Sequence, residues 1–232
     1  MRPIGLIAIN FLREQRWAAL LLLIWVVISA VLAYAGQVER GDVLFFVKQQ
    51  AVYGVAFSAF LAGSSIHNER RSRRILAVLS KGIERRQYVA GLLCGVLLVA
   101  AIYVVAMGIL GSLIFLAAGI PVLHLWQMLA LLMVACMVAA STALLFATFA
   151  PPIVAVALTA LALGVGAGAM YAGATANFLP VYVLLDTVTS YGFPSRWEPH
   201  WTPAVWGVLQ AVVLWWLAAW IFERRDIAVA LE

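Results

Sequence analysis

The chain has 232 residues, of which 66% are hydrophobic and only 11% are charged, and its mean hydropathy is +1.03. Soluble domains are roughly 45–50% apolar and about 25% charged, so this composition excludes an ordinary water-soluble domain and a disordered chain. The net charge of +5 comes from 15 basic and 10 acidic residues, and the positions of these residues are more informative than their sum.

Apolar stretches long enough to cross a bilayer occur six times. A span needs about 20 apolar residues to cross a hydrocarbon core of about 30 Å. The sequence therefore predicts an all-α polytopic membrane protein with a single transmembrane domain over residues 1–232. Between the fourth and fifth spans, Pro151 and Pro152 predict a tight turn, because neither proline donates a helical hydrogen bond. The predicted spans are about 17–35, 44–66, 88–118, 126–150, 153–176 and 203–222.

The basic residues predict the orientation of these spans. Twelve of the 15 lysines and arginines fall in the N-terminal segment, the loop between the second and third spans, and the C-terminal tail. Short loops rich in lysine and arginine stay in the cytoplasm, so we expect both termini to be cytoplasmic. The segment Ala33–Ala35 imitates a signal cleavage site, but the apolar stretch before it is longer than a signal peptide needs, which favours a retained span.

Ahead of the first span, residues 2–16 predict an amphipathic helix. Its apolar residues recur at helical spacing and share one face, whereas Arg13 lies elsewhere. A basic amphipathic helix of this kind lies along the inner membrane surface. A simple basic anchor ahead of a span is the alternative interpretation. The residues of the apolar face are Ile4, Ile7, Ala8, Phe11 and Leu12.

The most informative stretch is the predicted cytoplasmic loop at residues 67–87. Its first part predicts a short helix with an apolar side, and Gly82 is a natural end for this helix. The arginines near its start are repelled by the positive end of the helix dipole, so the dipole does not stabilise them. They need an anionic partner, either lipid headgroups or an acidic protein surface. The positive-inside rule explains the charges but not the apolar stripe, which indicates docking of a partner. The arginines are Arg70, Arg71, Arg73 and Arg74, and the apolar side consists of Ile75, Leu76 and Leu79.

The predicted external segment, residues 177–202, precedes the last span and contains Asn177 and Asp186. Its first part is too apolar for a solvated loop and too short to span, which favours a re-entrant or interfacial helix.

Lys48 lies near the outer start of the second span, where a lysine side chain can reach the interface. Cys94 and Cys136 are interpreted as small packing residues inside spans.

Two further patterns favour packing over chemistry. The stretch Gly164–Ala169 fits a dinucleotide-binding pattern, but it lies inside a predicted span rather than after a strand. Gly164 and Gly168, like Gly91 and Gly95, are interpreted as small-residue contact faces between helices.

The sequence has no phosphate-binding loop, no zinc-protease motif and no nucleophile turn, and its histidines, His67, His124 and His200, are far apart in sequence. We therefore expect no enzymatic activity, no bound cofactor and no metal in this chain.

The loop and the tail together resemble the membrane subunits of bacterial ATP-binding-cassette transporters of the type-2 export class. The resemblance extends over nearly the whole chain and is most specific in the loop, where an acidic residue precedes an apolar helix, a small turn and a basic residue. The stretch Phe222–Asp226 resembles the closing motif of that family. Gly82 stands where the family commonly has proline, and Leu92 where it commonly has lysine. The loop residues are Glu69, Leu76, Leu79, Ser80, Gly82, Ile83 and Arg85, followed by Tyr88–Gly91.

This resemblance implies the permease subunit of an ATP-driven exporter in a bacterial inner membrane. The permease would form a homodimer or pair with a paralogous permease, and a separate cytoplasmic ABC ATPase subunit would bind ATP and magnesium. The substrate path would lie at the dimer interface, lined by the second and fifth spans. The membrane lipids are further partners, and no nucleic acid is expected. The implied ATPase-coupling residues are Glu69, Arg73, Arg74, Leu76, Leu79, Ser80, Gly82 and Arg85, and Ile7, Phe11 and Arg13 would belong to the family's connecting helix.

A different class of function stays open. A membrane scaffold or assembly factor would use the same basic loop to bind a partner or anionic lipid without transporting anything. A gene for an ATPase with nucleotide-binding motifs, next to the gene for this chain, favours the exporter over the scaffold. An intramembrane enzyme would need polar residues that converge at one depth, and an ion-coupled transporter would need buried carboxylates. The sequence shows neither arrangement.

Overall fold

The computed structural model describes residues 3–35, 40–71, 83–171 and 201–224, and these residues form seven helices and no strands. Their apolar runs explain this, since in a hydrocarbon environment a helix pairs its backbone groups within one segment. In chain order the helices are α1 (Pro3–Glu14), α2 (Arg16–Ala35), α3 (Arg40–Arg71), α4 (Arg85–Ala117), α5 (Val122–Ala147), α6 (Pro152–Tyr171) and α7 (Thr202–Arg224).

Four of these helices, α2, α4, α5 and α7, are long and apolar enough to cross a membrane. In α6 the apolar stretch Pro152–Gly164 is shorter, and α3 carries more polar residues than the four. Large apolar side chains on α2 and α7 face outward, including those of Leu21, Leu32 and Val205. Such a surface suits lipid and not water. The chain is therefore an all-helical membrane protein, and the predicted count of six spans stays a prediction.

Helix α5 lies at the centre of the bundle. It packs against α3, α4, α6 and α7, and 67% of its most apolar stretch is buried. The corresponding figure is 22% for α2 and 28% for α7, which lie at the periphery. The side chains that α5 buries include many small ones, such as Ala135, Ala139 and Ala143. Small side chains let neighbouring helices approach closely, and this approach drives helix association in lipid.

The turn between α4 and α5 is closed by a glycine in the left-handed region. Gly119 has φ +67°, and its amide donates to the carbonyl of Leu116 at 3.2 Å. The amide of Ile120 reaches back to the carbonyl of Phe115 at 2.9 Å, and both of these side chains are buried. This pair of hydrogen bonds is a Schellman motif, which satisfies carbonyls that the helix end leaves free.

The predicted turn at the proline pair lies between α5 and α6. The chain leaves α5 after Ala147, and Pro152 occupies the first position of α6. Proline suits this position because its missing N–H group would have no helical partner there. Ala155 donates its amide to the carbonyl of Pro151 at 2.9 Å and so continues the new helix.

Helix α3 brings polar side chains into the bundle, and its serines form hydrogen bonds within the helix itself. Ser58 and Ser64 donate to carbonyls four residues earlier, at 2.8 and 2.9 Å. The hydroxyl of Tyr103 on α4 lies 2.7 Å from the backbone oxygen of Gln50 and 2.8 Å from its side-chain oxygen. Gln50 is fully buried, so this contact fixes α3 against α4 in the interior.

Candidate functional site

Two of the predicted coupling residues lie where the ends of three helices meet. Glu69 is close to the end of α3, and Arg85 is the first residue of α4. The end of α7 contacts the start of α4. We call this region the α3–α4–α7 junction, and it consists of Glu69, Arg85, Arg86, Tyr88, Phe222 and Glu223.

Arg85 connects the start of α4 to the last turn of α7. Its Nη1 donates to the carbonyl of Glu223 at 2.9 Å and lies 3.5 Å from the carbonyl of Phe222. The last carbonyls of a helix have no partner within the helix, and the C-terminus carries a partial negative charge. A guanidinium group therefore suits this position both as a donor and as a cation.

Arg86 makes a second link between the same two helices. Its Nε donates to Oε1 of Glu223 at 2.6 Å, and its Nη2 donates to Oε2 at 2.9 Å. The pair is bidentate, a geometry that fixes both direction and distance. The side chains are 53% and 31% exposed, so solvent screens the attraction, and the pair contributes orientation more than stability.

Tyr88 connects all three helix ends. Its ring stacks on Phe222 with a centroid distance of 6.3 Å and an interplanar angle of 17°, and both side chains are buried. Its side chain also interacts with the carboxyl group of Glu69. Burial raises the pKa of Glu69, and the interaction with Tyr88 opposes part of this rise. Glu69 is thus a carboxyl group held inside protein at the end of α3.

Helix α1 packs on α4 just beyond the junction. A Cβ atom added at Gly91 would lie 2.7 Å from the Cβ of Ile7, and one added at Gly95 would lie 2.8 Å from the Cβ of Phe11. Both contacts advance by four residues in the same direction, so α1 runs parallel to α4. Gly91 and Gly95 form a small-residue contact face, as predicted, and the seat for α1 consists of these two glycines.

The predicted surface helix corresponds to α1, and its apolar face buries Ala8 and Phe11 against the bundle. Helical hydrogen bonds continue from α1 into α2, since Gln15 donates to Phe11 and Ala19 donates to Gln15. Helix α1 thus lies alongside α4, and Arg13 is on its exposed side.

Most of the other predicted residues lie elsewhere. Arg73, Arg74, Leu76, Leu79, Ser80 and Gly82 of the coupling loop fall outside the described residues, as do Asn177 and Asp186 of the external segment and the predicted re-entrant helix. Lys48 is exposed on α3. Cys136 is buried, as its packing role requires, but Cys94 is exposed, so the packing interpretation is wrong for Cys94. In the described part of the chain no three metal-binding side chains come together.

The sequence analysis named Tyr88, Phe222 and Glu223 only within motifs of the resemblance and Arg86 only within the loop, and it did not bring these four residues together. They carry most of the contacts of the junction, although 137 residues separate Arg86 from Glu223. No periodicity connects positions so far apart. The available signal was the occurrence of adjacent arginines at the start of one span and an acidic residue at the end of another.

An apolar groove of about 660 Å³ lies at the other end of α2 and α4, lined by Val27, Ala30, Val31, Tyr34, Ala35, Leu110, Leu113, Ile114, Leu116 and Ala117. Its walls have few polar atoms besides the hydroxyl of Tyr34. The groove is far along α4 from the junction and brings none of the predicted site residues together.

The fold and the junction define a helical, membrane-embedded protein whose helix ends are bound together on one side. No protein-family model matches the chain, and no curated protein matches it.

Proposed function

We propose that this chain is the permease subunit of an ATP-driven exporter, coupled to a separate cytoplasmic ATPase subunit. The observation that carries the proposal is the junction. It lies at both ends of the predicted coupling loop, residues 67–87, and joins them to α7. Force applied to this loop by a partner would act on α3, α4 and α7 together.

The polarity of the bundle supports a transporter powered from outside the membrane. Among the residues whose burial the structure describes, Glu69 at the end of α3 is the one buried carboxylate. Proton- or ion-coupled transporters normally place such groups deep in their spans. An exporter driven by ATP needs none there, because nucleotide and magnesium bind to the partner.

The outward faces of α3 and α6 support a pairing of two permease subunits, either identical or paralogous. Ile153 on α6 is 85% exposed, and Tyr53 and Phe60 on α3 are exposed as well. No heavy atom within 4 Å would meet a Cβ at Gly164, so this part of the predicted contact face on α6 is not used by the residues that the structure describes. A small exposed residue on an apolar helix permits close approach of a second chain, and the substrate path would lie along this interface.

Co-purification tests the proposal. Under the proposal, an ATPase gene is expected next to the gene for this chain; the full chain is expressed with that ATPase and isolated through a tag on the permease. We expect the ATPase to co-purify. The double variant Leu76→Asp/Leu79→Asp should lose the complex, because it places two charges on the apolar side of the predicted loop helix.

Leu123→Asp is the matched control, since it makes the same chemical change at an exposed position at the start of α5, away from the junction. It should retain the complex. A complex that survives the double substitution in the loop would contradict the proposal. A tagged chain that binds no ATPase, yet retains a membrane protein or anionic lipid through the loop, would favour the scaffold instead.

A further inference from the structure

We infer that Arg85 and Tyr88 are positioning residues that carry movement of the coupling loop to α7. This inference rests on the proposed function, because it assumes that a partner acts on the loop. Helices α3 and α4 are joined to the loop directly, since the described part of the chain leaves α3 at Arg71 and continues at Ile83, just ahead of α4. Helix α7 has no such covalent link and depends on side-chain contacts.

The contacts at the end of α7 differ in kind from ordinary helix packing. Arg85 holds two backbone carbonyls of α7, which are fixed to the helix axis and do not rotate as a side chain does. Arg86 adds a bidentate pair to Glu223. Displacement of the start of α4 therefore displaces the backbone of α7.

Tyr88 adds the third helix to the same unit. It stacks on Phe222 of α7 and interacts with Glu69 of α3. Separation of the two helix ends that flank the loop would therefore disturb Tyr88 and its contact with α7. Helix α7 also packs along the central helix α5, so displacement of its end reaches the core of the bundle.

A label on α7 tests the inference in the full complex with the ATPase. Val213→Cys, at an exposed position of α7, carries a spin label in a background with Cys94→Ser and Cys136→Ala. We expect ATP with magnesium to change the spectrum of this label. Arg85→Gln should abolish the change, as measured on complex that has formed and has bound nucleotide.

Conservative substitutions separate positioning from folding. Arg85→Lys keeps a cationic donor near the carbonyls and should restore part of the spectral change. Tyr88→Phe keeps the stacking on Phe222 but removes the link to Glu69, so the change should be reduced. The matched control is Arg224→Gln: the Arg224 guanidinium lies 3.9 Å from the ring centroid of Trp220, on its own helix, and its removal should leave the change intact.

The outcomes are distinct. No complex with the unsubstituted chain means that the proposed function fails. A complex in which the label on α7 does not respond to nucleotide overturns the inference alone. An unaltered response in Arg85→Gln also overturns it, as does loss of the complex in that variant, because Arg85 would then be a docking residue.

Discussion

The substitution Gly91→Ala measures how closely α1 packs on α4. A Cβ atom at Gly91 would lie 2.7 Å from the Cβ of Ile7 and 2.8 Å from its Cγ2. Carbon atoms at their optimal separation are roughly 3.5–4.0 Å apart, so the added methyl group would be about 1 Å too close. The Cβ of Ile7 moves only with its backbone, so no side-chain rotation relieves the overlap. Helix α1 must shift away from α4.

The size of the effect combines two opposing contributions. Forcing an extra methyl group into a packed interface costs about 1–3 kcal/mol. Replacing a helical glycine by alanine stabilises the helix by about 1 kcal/mol, which offsets part of this cost. Gly164→Ala is the matched control, because no heavy atom within 4 Å would meet its methyl group. We expect Gly91→Ala to be about 1–3 kcal/mol less stable than Gly164→Ala.

Thermal unfolding in detergent measures this difference, and hydrogen exchange over residues 3–14 shows whether α1 leaves its seat. The exchange of α1 should accelerate in Gly91→Ala. Adding Ile7→Ala should not restore protection, because alanine keeps the Cβ atom that makes the 2.7 Å contact. Equal stability of Gly91→Ala and Gly164→Ala, with unchanged exchange in α1, would refute the close contact.

Three other substitutions test separate parts of the structure. The raised pKa of Glu69 means that folded protein holds this proton to a higher pH than unfolded chain, so the free energy of unfolding falls as pH rises through the raised pKa. Glu69→Gln removes this dependence. In unfolding curves from pH 4 to pH 8, the free energy of unfolding of Glu69→Gln, relative to that of the unsubstituted chain, should therefore rise with pH. A difference that falls with pH would contradict the burial of Glu69. Gly119→Ala forces a side chain into the left-handed region and should cost about 1–2 kcal/mol in thermal unfolding, whereas Gly119→Asn should cost less. Gly164→Ile should weaken the proposed pairing of two permease subunits in cross-linking, and Ala130→Ile, at an exposed position on α5, should not; equal cross-linking of both variants would exclude α6 from the interface.

The helices were predictable because each apolar run is longer than a soluble helix needs, and the proline pair identifies one of their ends. The sequence also indicated the basic residues around the loop. It did not indicate that α3 places Gln50 and several serines inside the bundle. Ser58 and Ser64 are accommodated by hydrogen bonds within their own helix, a local solution that does not show in hydropathy.

The junction was only half predictable for a different reason. Glu69 and Arg85 were named because the loop that they flank resembles the coupling loop of the transporter family. Their partners on α7 are distant in sequence, and the hydrogen bonds of Arg85 are accepted by backbone carbonyls, which have no residue identity. A contact of this kind leaves no compositional signal at the acceptor positions. On α7, only the charge of Glu223 offered a signal in the sequence.

The packing of α1 shows where hydropathy reaches its limit in a membrane protein. A periodic apolar face indicates that a helix avoids water, but lipid and protein are equally apolar, so the pattern does not distinguish them. The deciding feature lies on the partner. Gly91 and Gly95 provide a seat in which Ile7 and Phe11 pack against α4, and dispersion contacts with fixed backbone atoms exceed those with mobile lipid chains. By the same reasoning the open space at Gly164 marks a position where another apolar helix gains more contact than lipid does.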